Sequence, residues 1–201
     1  MDGSYLYLIM LWIIFYTHHT LFASLNIKRK IKALVKKAYL WNRLSYSIIS
    51  GALFLGIFIY AGTLKPIMLL QTSDILTYIG YMLAAFGTII LVKSFKNFSG
   101  KRFAGLTPHD DLEQKDTLIQ SGIHGVIRHP IYAGLVLIFI GYFLFSPTLG
   151  SLIHMIMLML YLPIGIHFEE KKLIQVFGND YLTYKRQVPA LIPTGIKKPA
   201  N

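Results

Sequence analysis

Two pairs of residues in this chain have side chains suited to chemistry on a charged small molecule: Arg128-His129 and Glu169-Glu170. A guanidinium orients an anion through a fork of parallel donors. An imidazole exchanges a proton near neutral pH. About 40 residues separate the two pairs, so a site exists only if the chain between them folds back. Pro130 suits the first turn of a helix, where its missing N–H costs nothing, and this leaves Arg128 and His129 just outside the helix start. The two glutamates directly follow an apolar run that ends at His167. A short helical hairpin would bring both pairs to one mouth. The same four residues equally describe interfacial charge, with an Arg–Glu pair closing the hairpin.

The elements that must position them are membrane helices. A spanning helix needs about 20 mostly apolar residues, and five segments fit or nearly fit: 5–25, 44–61, 75–92, 131–145 and 151–167. The last two are short and are joined by Ser146-Pro147-Thr148-Leu149-Gly150, a turn composition. The expected fold is therefore all-α: an integral membrane protein with about five transmembrane helices, the last two a short hairpin. Leu173, Ile174 and Phe177 recur at helical spacing within Lys171–Ile192, which reads as a C-terminal cytoplasmic amphipathic helix ended by Gly178. Tyr181 and Tyr184 follow; such an aromatic lid suits an adenosine-bearing cofactor and suits interfacial anchoring equally.

Composition supports this class. The chain of 201 residues is 54% hydrophobic and 14% charged, against about 25% charged in soluble domains, and its length suits one domain. The net charge of +11 points to an anionic membrane surface rather than nucleic acid, because the basic residues lie between apolar runs. With five spans, the segments 26–43 and 93–130 and the tail after His167 fall on one side and hold 19 of the 20 Lys and Arg; Lys65 is the exception. That asymmetry places the N-terminus outside and the tail in the cytoplasm. The first apolar run has no basic segment before it and no small-residue cleavage pattern, so it reads as a retained helix. Cysteine is absent, and the seven His are scattered without H-E-x-x-H spacing, so no metal site is expected. His18, His19 and His154 inside apolar runs are expected to bond neighbouring helices. Pro163 removes a donor within the fifth span and frees the Met159 carbonyl.

The residues from Ser121 to Gly134, SGIHGVIRHPIYAG, resemble the G-x-Y-x-x-V-R-H-P-x-Y-x-G signature of the isoprenylcysteine carboxyl methyltransferase superfamily of integral membrane enzymes. Phe168-Glu169-Glu170 to Leu173, then Phe177-Gly178, Tyr181, Tyr184 and Val188 to Pro193, resemble its E-E-x-x-L, F-G-x-x-Y-x-x-Y and V-P-x-x-I-P tail. The two motifs occur in order and cover about a third of the chain. Phe22-Ala23-Ser24-Leu25 and the basic stretch after it are similar to the methanethiol S-methyltransferase and NnrU-like branches. His124 departs from the pattern, which usually has an aromatic residue there.

The resemblance implies methyl transfer from S-adenosylmethionine, bound over 121–193, to a carboxylate or thiol of a lipophilic or small membrane-permeant substrate. By matching position, Gly122, His124, Arg128, His129, Pro130, Tyr132 and Gly134 would form one wall of the cofactor pocket and Glu169 and Glu170 the other, contacting the ammonium or ribose hydroxyls. Tyr181 and Tyr184 would flank it. Arg128, His129, Glu169 and Glu170 are the candidates for contact with the reacting groups. Displacement at a sulfonium methyl needs no metal and no covalent enzyme intermediate, so the lack of cysteine is no obstacle. Two alternatives stand beside it: a non-catalytic membrane component that keeps the fold, and an NADPH-dependent membrane reductase, whose relatives usually have more spans.

Overall fold

The structure is a computed structural model that describes residues 3–96, 99–113 and 117–194. Lys115, Lys197 and Lys198 of the basic segments lie outside the described residues. In chain order the α-helices are α1 (Ser4–Ala23), α2 (Leu25–Val35), α3 (Asn42–Thr63), α4 (Asp74–Phe95), α5 (Gly100–Phe103), α6 (Pro130–Phe145), α7 (Leu149–Phe177) and α8 (Asn179–Gln187). Two 3-10 turns, Lys36–Trp41 and Gly122–Gly125, complete the elements. All named elements among the described residues are helical, as the composition predicts. Four stretches are long and apolar enough to cross a membrane: α1, the continuous helical run Leu25–Thr63, α4 and α7. The apolar α6 is shorter, at 16 residues. The chain divides into two compact units, 1–66 with 98–116, and 67–97 with 117–201.

In the first unit α1 packs against α3 around Trp12, whose ring meets Phe15, Tyr16, Phe54 and Phe58. Tyrosines fasten the ends: Tyr5 Oη donates to the Lys65 carbonyl at 2.9 Å and Tyr60 Oη to the Ser4 carbonyl at 2.9 Å. His19 meets Tyr46 Oη at 2.7 Å, and His18 stacks on Phe22 and Tyr46, so both histidines serve helix packing. The basic stretch after Ser24 holds a helix that the apolar pattern does not announce. Ser24 caps α2, accepting from the Ile27 amide at 3.4 Å. Lys28 and Lys32 of α2 pair with Asp111 and with Asp110 and Glu113.

In the second unit α4 and α6 touch backbone to backbone. Gly80 and Gly87 on α4 face Gly141 and Gly134 on α6, and the sevenfold spacing keeps each pair on one helix face. A Cβ at Gly87 would lie 2.5 Å from the Gly134 carbonyl oxygen, and one at Gly141 2.5 Å from that of Gly80. Small residues let apolar helices approach this closely where dispersion, rather than water exclusion, holds them. Only Ser146, Pro147 and Thr148 separate α6 from α7, a shorter link than the sequence suggests. Thr148 and Ser151 form a capping box at 3.2 and 3.1 Å. The backbone at 67–69 pairs with 147–149, with Leu69 N to Pro147 O at 2.8 Å and Leu149 N to Ile67 O at 2.9 Å.

The end of α7 corrects the reading of the tail. No separate helix starts at Lys171. Glu169 to Phe177 continue α7, which runs unbroken through Pro163 for 29 residues. Glu, Lys and Leu are good helix formers, and nothing breaks the chain until Gly178, whose φ of +60° suits glycine. His154 stacks on Tyr142, with ring centroids 6.0 Å apart.

Candidate functional site

The sequence R-H-P gives Arg128 and His129 their place. His129 is the residue before the first turn of α6, and Pro130 occupies that turn. Their backbone amides donate to the carbonyls of Pro189 (2.8 Å) and Ala190 (3.0 Å), so the tail is laid alongside the helix start. Arg128 Nε and Nη2 both donate to Glu170 Oε1, at 2.9 and 2.6 Å. Its Nη1 donates to the carbonyls of Lys185 (3.1 Å) and Val188. His129 Nε2 lies 3.2 Å from the same Glu170 oxygen, and Lys185 Nζ takes the other. The guanidinium and Glu170 therefore spend most of their bonding capacity on the protein itself.

The two glutamates differ. Glu170 is buried, with 7% side-chain exposure, whereas Glu169 is 39% exposed and meets His129 Nδ1 at 3.5 Å. Tyr132 hydrogen-bonds Glu169, and its hydroxyl passes over Gly165, one turn before Glu169, where a Cβ would lie 3.2 Å from it. Both glutamates follow the apolar run that ends at His167 and so stand outside the spanning stretch. Burial pushes the Glu170 carboxyl up, but hydrogen bonds from Lys185, Arg128 and His129 outweigh it and hold the group down at about 2.

The other residues expected in the pocket have different tasks. Gly134 does not reach the cluster, because its free face is filled by the α4 backbone at Gly87. Pro130 is buried at the start of α6. His124 is buried and donates from Nε2 to the Ser94 carbonyl at 3.3 Å, and the His124 carbonyl accepts from Tyr184 Oη at 2.6 Å. Tyr181 packs edge-on to Tyr184, at 5.8 Å, beside Arg128. The structure thus brings together Arg128, His129, Tyr132, Glu169, Glu170 and Tyr181, while His124 and Tyr184 brace α4 and α8. Sequence reasoning missed Lys185, because Gly178 turns the chain and no helical spacing links 170 to 185. Among the described residues no group of three or more His, Cys, Asp or Glu is arranged to hold a metal ion.

The family model described as phospholipid methyltransferase matches residues 75–180, more than half of the chain. The protein belongs to the phospholipid methyltransferase family. Curated relatives agree with this membership and with the resemblance to membrane methyltransferases. A methanethiol S-methyltransferase of Pseudomonas deceptionensis is 31% identical over 81 residues, covering 39% of this chain and 29% of the relative. Methanethiol S-methyltransferases 1 and 2 of Bradyrhizobium diazoefficiens are 37% identical over 73 residues and 28% over 113, covering 35% and 56% of this chain and 24% and 39% of the relatives. The matched part therefore spans well under half of these relatives. No solved structure matches the chain.

The phospholipid methyltransferase match runs from α4 to Asp180 and so contains Arg128, His129 and both glutamates. Next to the cluster the same unit holds a groove of about 990 Å3. Ala133, Val136 and Leu137 of α6, Met159 and Leu162 of α7, and Ile90 of α4 line it. Gly122, with φ +62°, and Ile192 contribute from the segments flanking the cluster.

Proposed function

We propose that the protein transfers a methyl group from S-adenosylmethionine to an ionised carboxylate or thiol of a lipophilic or small membrane-permeant acceptor at the cytoplasmic membrane face. The observation that carries this reading is the meeting of Arg128-His129 with Glu169-Glu170 inside the segment matched by the methyltransferase family. The topology that goes with it has five spans: α1, α3, α4, α6 and α7. The last two form a hairpin, α8 lies in the cytoplasm, and the N-terminus lies outside. Nineteen of the 20 basic residues then lie inside. In this reading the whole chain acts as one membrane methyltransferase domain.

The residues present fit the cofactor. Glu169 is a half-exposed carboxylate beside His129 and Tyr132, which suits an ammonium group or ribose hydroxyls. S-adenosylmethionine would supply the electrophilic methyl on its sulfonium. Glu169, His129 and Tyr132 bind its polar end; Tyr181 stands behind them. Arg128 and Glu170 hold these groups in place by fastening α6 to α7 and to the tail. Their work is orientation, since displacement requires attacking atom, methyl carbon and sulfur in line with contact near 3–3.5 Å. An acceptor that arrives ionised needs no base, so His129 serves in binding.

The test offers purified protein methyl-labelled S-adenosylmethionine with a panel of thiols, prenylcysteines and lipids, and records thermal midpoints in detergent. Labelled product together with a midpoint raised by S-adenosylmethionine or its demethylated form is expected. Binding to the native state alone stabilises by about 2.7 kcal/mol at 100 times the dissociation constant. A rise with NADPH alone would favour a reductase. Cofactor binding with no acceptor in the panel turning over would favour a non-catalytic component.

A further inference from the structure

The first unit has a groove of its own, of about 370 Å3, which the proposed chemistry does not use. Three helices build it, each with residues about one turn apart: His18 and Phe22 of α1, Ile31 and Val35 of α2, and Asn42, Ser45 and Ile49 of α3. Ala38 adds to it from the turn between α2 and α3, and no acidic residue lines it. Lys36 and Lys37 stand in the chain between the lining residues Val35 and Ala38, and both are exposed. No carboxylate is paired with either among the described residues, whereas Lys28 and Lys32 of α2 are neutralised by Asp111, Asp110 and Glu113. Lys36 holds a φ of +51°, a conformation uncommon outside glycine, and outliers of this kind gather at ligand clamps.

We infer that this groove seats one acyl chain of an anionic phospholipid from the bilayer, with the head on Lys36, Lys37 and Asn42. The inference does not depend on the methyl-transfer reading, and the site lies outside the segment 75–180 that the family model matches. Three observations select that occupant. The first is place. α1 and the run Leu25–Thr63 are long and apolar enough to cross a membrane, and the groove lies where α1 ends and α3 begins. Its mouth, at Asn42 and Ser45, therefore falls at the bilayer edge, and its floor, toward His18 and Ile49, among the tails. The second is shape. The volume is at the lower end for enclosed ligand sites, and a peptide helix about 10 Å across would not enter. Phe22, Ile31, Val35 and Ile49 give a single chain dispersion contacts that a free phosphate would leave unmade. The third is charge. Two unneutralised ammonium groups attract a head of net negative charge, as basic pockets between membrane helices do. A phosphocholine head would set its own cation against them. The bound chain fills the space between α1, α2 and α3 and so stabilises this elbow.

The experiment uses the full protein in neutral detergent and follows quenching of tryptophan fluorescence by phospholipids with brominated chains. Trp41 directly precedes Asn42 and is exposed, whereas Trp12 is buried, so the signal reports on the groove mouth. Phosphatidylglycerol and phosphatidylcholine with identical chains are compared. The expected result is half-quenching by phosphatidylglycerol at a concentration at least tenfold lower. Lys36→Gln with Lys37→Gln should abolish this preference, and Lys36→Arg with Lys37→Arg should keep it. Arg29→Gln with Lys30→Gln removes the same charge from α2 but away from the groove, since these residues lie about 200° and 100° round the helix from Ile31. That variant should also keep the preference. Ser45→Phe fills the groove and should weaken quenching by both lipids. Equal loss in the two double Gln variants would show diffuse attraction to a basic surface and overturn the site. Undiminished quenching in Ser45→Phe would place the chain outside the groove and overturn it too. The thermal midpoint gives a reading that needs no variant. Phosphatidylglycerol should raise it more than phosphatidylcholine does, and equal rises would defeat head selection.

Discussion

Arg128 and Glu170, 42 residues apart in sequence, are joined by two hydrogen bonds from one guanidinium to a single carboxylate oxygen, at 2.9 and 2.6 Å. His129 and Lys185 complete the shell around that carboxylate. The pair ties the start of α6 to the end of α7, and Arg128 reaches on to the Lys185 and Val188 carbonyls. The neighbouring glutamate is left facing outward. Adjacent helical residues point about 100° apart, so one glutamate serves as a fastening and the other is the one the proposed function assigns to the cofactor.

Glu170→Gln and Arg128→Lys are expected to act on stability first. Removing one partner of a buried ion pair leaves the other uncompensated and costs on the order of 3–5 kcal/mol; a lysine cannot reproduce the fork. The thermal midpoint should fall in both variants. A double-mutant cycle should show strong coupling. Additive losses would show that the two side chains do not depend on each other.

Glu169→Gln is expected to change the midpoint of the ligand-free protein much less than Glu170→Gln, because its carboxylate is half-exposed and its contacts are His129 Nδ1 at 3.5 Å and the Tyr132 hydroxyl. On the proposed function it should weaken S-adenosylmethionine binding tenfold or more, since a hydrogen bond to a charged group contributes about 1.5–3 kcal/mol. Titration calorimetry on the folded fraction measures this. Unchanged affinity would remove Glu169 from the site.

Stability should fall in acid in a way that depends on Glu170. Its folded value is depressed to about 2, below the roughly 4.3 of an unperturbed glutamate. Its contribution is fully present above the unfolded value and is lost as pH falls from there toward 2. Midpoints followed from pH 6 to pH 3 should decline less steeply in Glu170→Gln than in the parent. Parallel curves would mean that this carboxylate is not the group responsible.

Gly87→Ala and Gly141→Ala should each destabilise, because the added Cβ would meet a carbonyl oxygen at 2.5 Å. Overpacking of this kind typically costs about 1–3 kcal/mol. Gly51 on α3 has nothing within 4 Å of a built Cβ, so Gly51→Ala is the control and should be neutral or slightly stabilising. Equal midpoints for all three variants would show that α4 and α6 separate readily.

The proposed orientation is testable by single-cysteine labelling, since the chain has no native cysteine. A cysteine at Ala33 should react only after permeabilisation, and one at Met68 in intact cells. Labelling at position 33 from outside would overturn the orientation.

The sequence alone determined what local pattern can carry. The apolar runs identify α1, α3, α4 and α6 and the start of α7 to within a few residues, because a spanning helix needs a long apolar stretch, whereas α7 continues ten residues beyond its apolar run. Pro130 marks the first turn of α6, and Gly178 ends α7, since each restricts the backbone at its own position. The residues from Arg128 to Glu170 carry the family signature in their types and order. What only the tertiary structure decided is which partner each residue has. Gly134 matches the signature, but its missing side chain admits the α4 backbone at Gly87. Glu169 and Glu170 are alike in sequence and are told apart by Lys185, which the turn at Gly178 brings round. The helix α2 is carried by a serine cap and ion pairs to Asp110, Asp111 and Glu113, about 80 residues away. These distinctions depend on contacts between distant segments, and no periodicity along one segment encodes them.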